Sequence, residues 1–84
     1  MKMVNMIQNT TKRISLRECS QISKIANKYN SDIFLLYNDK KVNAKSMIGL
    51  IQLCIEPNRI VMVNLHGKDE HYAYLEMKKV LRSM

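Results

Sequence analysis

The sequence predicts an α+β domain of two layers, a four-stranded sheet covered on one face by helices. Three observations carry this. Hydrophobic periodicity switches along the chain in the order β-α-β-β-α-β-α. The helical segments are amphipathic, so each must lay one apolar stripe on a sheet. And 84 residues suffice for one core and not for two, which makes residues 1–84 a single domain. Hydrophobic residues at 46% and charged residues at 25% exclude a disordered chain. No apolar run reaches the roughly 18–20 residues of a membrane span, and the apolar run near the start, broken at Asn5, is too short for a signal-peptide core. The expectation is a cytoplasmic protein with no membrane role.

Residues 3–8 partly alternate, with Val4 and Met6 on one face, and read as a strand. Residues 9–13 form a polar loop. Ser15 followed three residues later by Glu18 is a capping-box pattern. Behind it Leu16, Cys19, Ile22, Ile25, Ala26 and Tyr29 keep helical spacing, which predicts a helix over about 16–28. Residues 32–37 are a strand by their bulky apolar content, Asn38-Asp39 a turn, and residues 40–43 a short edge strand guarded by Lys40 and Lys41. A second helix starts at Ser46. Glu56-Pro57-Asn58 is turn chemistry, and residues 60–65 form the strongest strand. After Gly67, Asp69 is placed to cap a last helix with Ala73, Met77, Val80 and Leu81 facing inward.

Fourteen Lys and Arg against seven Asp and Glu give a net charge of +7, which favours acidic partners and keeps a nucleic-acid role open. The basic residues are scattered from Lys2 to Arg82, and no aromatics interleave with them to stack on bases. Cys19 and Cys54 have no metal-ligand spacing and read as buried thiols, with a disulfide the alternative. His66 and His71 read as surface or strand-end residues. No metal site and no cofactor are expected.

The informative segment is residues 43–53. Ser46 is a good N-cap. Gly49 within a helix costs about 1 kcal/mol against alanine and points to close packing. Met47, Ile48 and Ile51 cannot all share a core with Leu50 and Leu53, so part of the helix is either an exposed docking patch or buried on a second side. Lys45-Ser46-Met47-Ile48-Gly49-Leu50, with residues 40–44 before it, closely resembles the regulatory segment of HPr, the histidine-containing phosphocarrier family of the bacterial sugar phosphotransferase system. Asn30-Ser31-Asp32-Ile33 and Gly67-Lys68-Asp69-Glu70 extend the resemblance over about residues 14–82. It implies the family's open-faced sandwich, a four-stranded antiparallel sheet under three helices. It also implies that Ser46 is the serine phosphorylated by an ATP-dependent HPr kinase/phosphorylase, after which the protein serves a catabolite control regulator as co-repressor. Arg17, Lys45, Met47, Ile48 and Ile51 would then belong to the partner-binding face.

The family's carrier motif is Gly-Ile/Leu-His-Ala-Arg-Pro, whereas this chain has Arg13-Ile14-Ser15-Leu16-Arg17-Glu18. Ser15 occupies the position of the phosphocarrier histidine and Glu18 that of the proline, while Arg17 is kept. An imidazole forms a phosphoramidate reactive enough to pass its group on; a serine hydroxyl without a base is a poor nucleophile and its ester a dead end. Glycines usual in the family are also replaced, at Arg13, Cys54 and Asn58. The resemblance is therefore to the regulatory branch, the catabolite-repression HPr-like proteins that also lack the histidine. The expected function is a non-catalytic phosphoprotein of the phosphotransferase system, a monomer or weak homodimer that does not contact nucleic acid directly. An atypical phosphocarrier is the alternative, and a small basic nucleic-acid-binding domain a further one.

Overall fold

In a computed structural model, described for residues 2–8, 15–53 and 60–82, the chain runs β1 (Lys2–Gln8), α1 (Leu16–Ala26), β2 (Asp32–Tyr37), β3 (Lys40–Asn43), α2 (Met47–Leu53), β4 (Ile60–His66) and α3 (Glu70–Arg82). The polar loop at 9–13, Cys54, the turn at Glu56-Pro57-Asn58 and the facing of Val4 and Met6 lie outside the described residues.

The strands pair antiparallel in the order β1-β4-β2-β3. Alternation assigns the faces. Ile33, Leu35 and Tyr37 of β2 are buried, as are Val61, Val63 and Leu65 of β4. Cross-strand partners Ile33↔Leu65 and Leu35↔Val63 therefore meet on the covered face. On the other face Phe34, Leu36 and Met62 are only half-buried, and the Lys41 ammonium lies 4.6 Å from the Phe34 ring centroid.

The helices close the covered face, each with residues at helical spacing. These are Cys19, Ile22 and Ala26 from α1, Leu50 and Leu53 from α2, and Ala73, Met77 and Leu81 from α3. Cys19 is a buried thiol. Helix α1 ends at Ala26 and not near residue 28, because its last turn tightens to i→i+3 bonds, Lys28 N–H to Ile25 at 3.0 Å and Tyr29 N–H to Ala26 at 3.3 Å. Tyr29 still packs on the core from beyond the helix. The β2–β3 hairpin turns through Asn38 (φ 50°) and Asp39 (φ 63°), both left-handed as a two-residue type I′ turn requires.

Asp69 acts across the fold more than on its own helix. Its carboxylate accepts from the N–H groups of Asn30 and Ser31, each at 2.9 Å, and from the Ser31 hydroxyl. These bonds, the Ser31 hydroxyl first, hold its carboxyl below the usual range. The helix start is served instead by Glu70, whose Oε1 accepts from Gly67 N–H at 3.3 Å. Gly67 has φ +154°, and a Cβ there would stand 2.4 Å from Ser31 Oγ and 2.6 Å from Ser31 Cα. Glycine is what lets the two loops touch.

Candidate functional site

Helix α2 is preceded by a turn that its own side chains build. Asn43 Oδ1 accepts from Lys45 N–H at 2.9 Å, and the Asn43 carbonyl accepts from Ser46 N–H at 2.9 Å. Ser46 is exposed, and its Oγ accepts from Gly49 N–H at 3.3 Å, the N-cap bond its position predicts. Accepting uses a lone pair and leaves the hydroxyl proton available. The close packing expected at Gly49 is present: an added Cβ would lie 3.3 Å from Val42 Cβ and 3.5 Å from Ser46 Oγ. An added methyl group would crowd Val42 of the edge strand and meet Ser46 at ordinary contact distance.

The apolar excess of α2 divides between two faces. Leu50 and Leu53 are 3% and 2% exposed, whereas Ile48 is 72% and Ile51 41% exposed. Met47 is half-buried between them in exposure. Ile48 and Ile51, one turn apart, leave aliphatic surface of α2 in solvent, the kind of exposure that marks an interaction site where it is contiguous. Leu16, in the first turn of α1, is 62% exposed and joins the same class of residue.

Ser15 is the N-cap of α1 and is exposed, with extended backbone (φ −97°, ψ −176°). Glu18 Oε1 accepts from Ser15 N–H at 2.9 Å and from the Ser15 hydroxyl, within the capping box expected of Ser-x-x-Glu. The bond from that hydroxyl is the main reason the Glu18 carboxyl lies below its ordinary range. A carboxylate so stabilised is a weak base, so it holds the serine proton without activating the oxygen.

The family model of the PTS HPr component phosphorylation site matches residues 6–83. The chain belongs to the HPr family. The HPr-like protein Crh of Bacillus subtilis (strain 168) is 44% identical to it over 48 residues, 57% of this chain. That alignment spans 56% of the relative's length, little more than half. Among solved structures, phosphocarrier protein HPr from Bacillus anthracis str. Ames superposes with a TM-score of 0.91 at 23% identity, over 96% of this chain and 98% of that one, a likeness of fold. B. subtilis Crh, in a crystal structure that revealed a domain-swapped dimer, has a TM-score of 0.77 at 31% identity, over 84% and 82%. The HPr-like α+β fold and its three helices are thereby established.

On this HPr scaffold the residues singled out from sequence stand in two places. Ser15 and exposed Arg17 open α1, while Ser46 caps α2 and Met47, Ile48 and Ile51 lie on it, with α2 packed beside α1. Lys45 is placed differently from a surface contact. It is half-buried, and its ammonium donates to the Tyr29 carbonyl at 2.8 Å. Its carbonyl accepts from Ser23 Oγ and Asn27 Nδ2, each at 3.1 Å. Leu16 keeps helical spacing with the core positions of α1 but is exposed, because it falls in the first turn, before the first core residue, Cys19. His66 and His71 are both exposed, His71 edge-on to Tyr72 with centroids 6.0 Å apart. Among the described residues no three His, Cys, Asp or Glu side chains cluster as metal ligands, and no helix is long and apolar enough to cross a membrane.

Proposed function

We propose that this HPr-family chain is a regulatory phosphoprotein of carbon catabolite repression, phosphorylated at Ser46 by an HPr kinase/phosphorylase and without catalysis of its own. The observation that carries the reading is the exposed, N-capping Ser46 two residues before a 72%-exposed Ile48. In the transfer, the γ-phosphoryl group of ATP leaves its bridging oxygen and bonds to Ser46 Oγ, ADP departs, and the hydroxyl proton passes to a base of the kinase. The product adds about −1.5 to −2 charges next to the aliphatic patch, an anion that a basic pocket on a partner reads by charge-assisted hydrogen bonds. Ile48 and Ile51, with Met47 and Arg17, then form the docking face for a catabolite control regulator. Lys45, whose ammonium is turned to the Tyr29 carbonyl, supports the segment from beneath.

Phosphocarrier activity is absent in this reading, because Ser15 stands at the histidine position and its proton is held by a poor base. We place the protein in the cytoplasm as a monomer or weak homodimer; the swapped dimer of its relative Crh supports the homodimer part of this reading.

Incubation with HPr kinase/phosphorylase and ATP should add one phosphate, located at Ser46 by mass spectrometry. Ser46→Ala should abolish both labelling and regulator binding. Enzyme I with phosphoenolpyruvate should leave the chain unlabelled. Acid-labile phosphate on His66 or His71, or tight regulator binding by Ser46→Ala, would refute the assignment.

A further inference from the structure

Lys45 is gripped at every polar group it has. Its N–H donates to Asn43 Oδ1 at 2.9 Å and its ammonium to the Tyr29 carbonyl at 2.8 Å. Its carbonyl accepts from both Ser23 Oγ and Asn27 Nδ2, each at 3.1 Å, so the residue before Ser46 is fastened to the rear of α1. Asn27 is itself fixed as the C-cap of α1, its Nδ2 also donating to the Ser23 carbonyl at 2.8 Å. Ser23 is half-buried and lies outside the aliphatic patch of α2.

A seven-residue helix is too short to hold its own first turn, so the position of Ser46 depends on what fixes the chain before it. A kinase binds an acceptor already in place more tightly than one it must order, since the affinity falls by the fraction of chains in the competent arrangement. We infer that Ser23 and Asn27 are positioning residues for phosphorylation: by gripping the Lys45 carbonyl they hold Ser46 where a kinase takes it up. This role rests on the reading of Ser46 as phosphoacceptor given above.

The test uses the full chain with HPr kinase/phosphorylase and ATP, comparing wild type, Ser23→Ala, Asn27→Asp and the conservative Ser23→Thr. Loss of one of the two bonds should raise KM for the chain about three- to tenfold, the worth of a single hydrogen bond, with kcat little changed. Amide hydrogen exchange over residues 45–50 should accelerate while β2 and β4 keep their protection. Ser23→Thr, which retains the hydroxyl, should restore both readouts. Equal KM in wild type and both disruptive variants overturns this role alone. So does accelerated exchange spread evenly over the whole sheet, which would make the effect one of general stability. A kinase that ignores the wild-type chain overturns the phosphoacceptor reading and this role with it.

Discussion

Ser15 and Glu18 together build the start of α1. The serine hydroxyl and N–H both donate to the Glu18 carboxylate, and α1 starts there. Ser15→Ala should cost about 0.5–2 kcal/mol in urea unfolding, the usual loss for an N-cap. The bond depresses the Glu18 carboxyl, so its stabilisation is present above the unfolded-state value and is lost as pH falls through the lower folded value. The gap between wild type and Ser15→Ala should thus be full at neutral pH and close on acidification; a gap independent of pH would mean the carboxylate takes no part. At Ile48 the residue and its neighbour separate two roles. Ile48→Asp should fold within about 0.5 kcal/mol of wild type and lose partner binding, because the side chain is already in water. Leu50→Ala, two residues on but 3% exposed, should cost about 2–5 kcal/mol. If Ile48→Asp unfolds the protein, the patch is core.

Between elements, the α1–β2 and β4–α3 loops meet without any regular structure to join them. Asp69 supplies the acceptor for two backbone N–H groups and the buried Ser31 hydroxyl, and Gly67 supplies the space. Gly67→Ala adds a methyl group against Ser31 in a backbone conformation that side chains rarely adopt. The expected loss is about 2–4 kcal/mol, read from the shift in denaturation midpoint at unchanged slope. A near-neutral result would show that the Ser31 loop moves aside freely. The β2–β3 hairpin is the contrasting case. Asn38-Asp39 forms its turn from local preference alone, which is why it was legible as a turn before any tertiary contact was known.

Across the whole molecule, Glu76 of α3 ties down the chain just past α1. Its carboxylate accepts from Lys28 Nζ at 2.6 Å and from the Tyr29 hydroxyl, and these two bonds, Lys28 first, lower its carboxyl below the ordinary value. The same bond to Glu76 pushes the Tyr29 phenol up to about 12 from 10.0. A raised value means that the stabilisation is whole below pH about 10 and is lost as pH rises through about 12. Tyr29→Phe should therefore be less stable than wild type at neutral pH and converge with it in strong alkali. Phenolate absorbance should show one tyrosine titrating late in wild type and missing from the variant. No late tyrosine in the wild-type titration would remove this tie. The tie reaches the Ser46 turn because the Tyr29 carbonyl also receives the Lys45 ammonium, so α3, the end of α1 and that turn share one residue.

What the sequence determined by itself was whatever is set by near neighbours. Helical spacing at Cys19, Ile22 and Ala26, alternation in β2 and β4, the Asn38-Asp39 turn and the serine N-caps all depend on residues a few positions apart. The Lys-Ser-Met-Ile-Gly segment led to the HPr family on the same local terms, and the family model bears that out. Only the tertiary structure decided which side of α2 is core, because Met47, Ile48, Leu50 and Ile51 are alike in hydropathy and differ only in what stands opposite them. It also turned Leu16 outward, turned Lys45 inward to Tyr29, and sent the Asp69 carboxylate to a loop 38 residues away in sequence. A charged or apolar side chain carries no record in the sequence of its distant partner. That partner is chosen when burial leaves a donor such as Ser31 or a carbonyl such as Tyr29 in need of one.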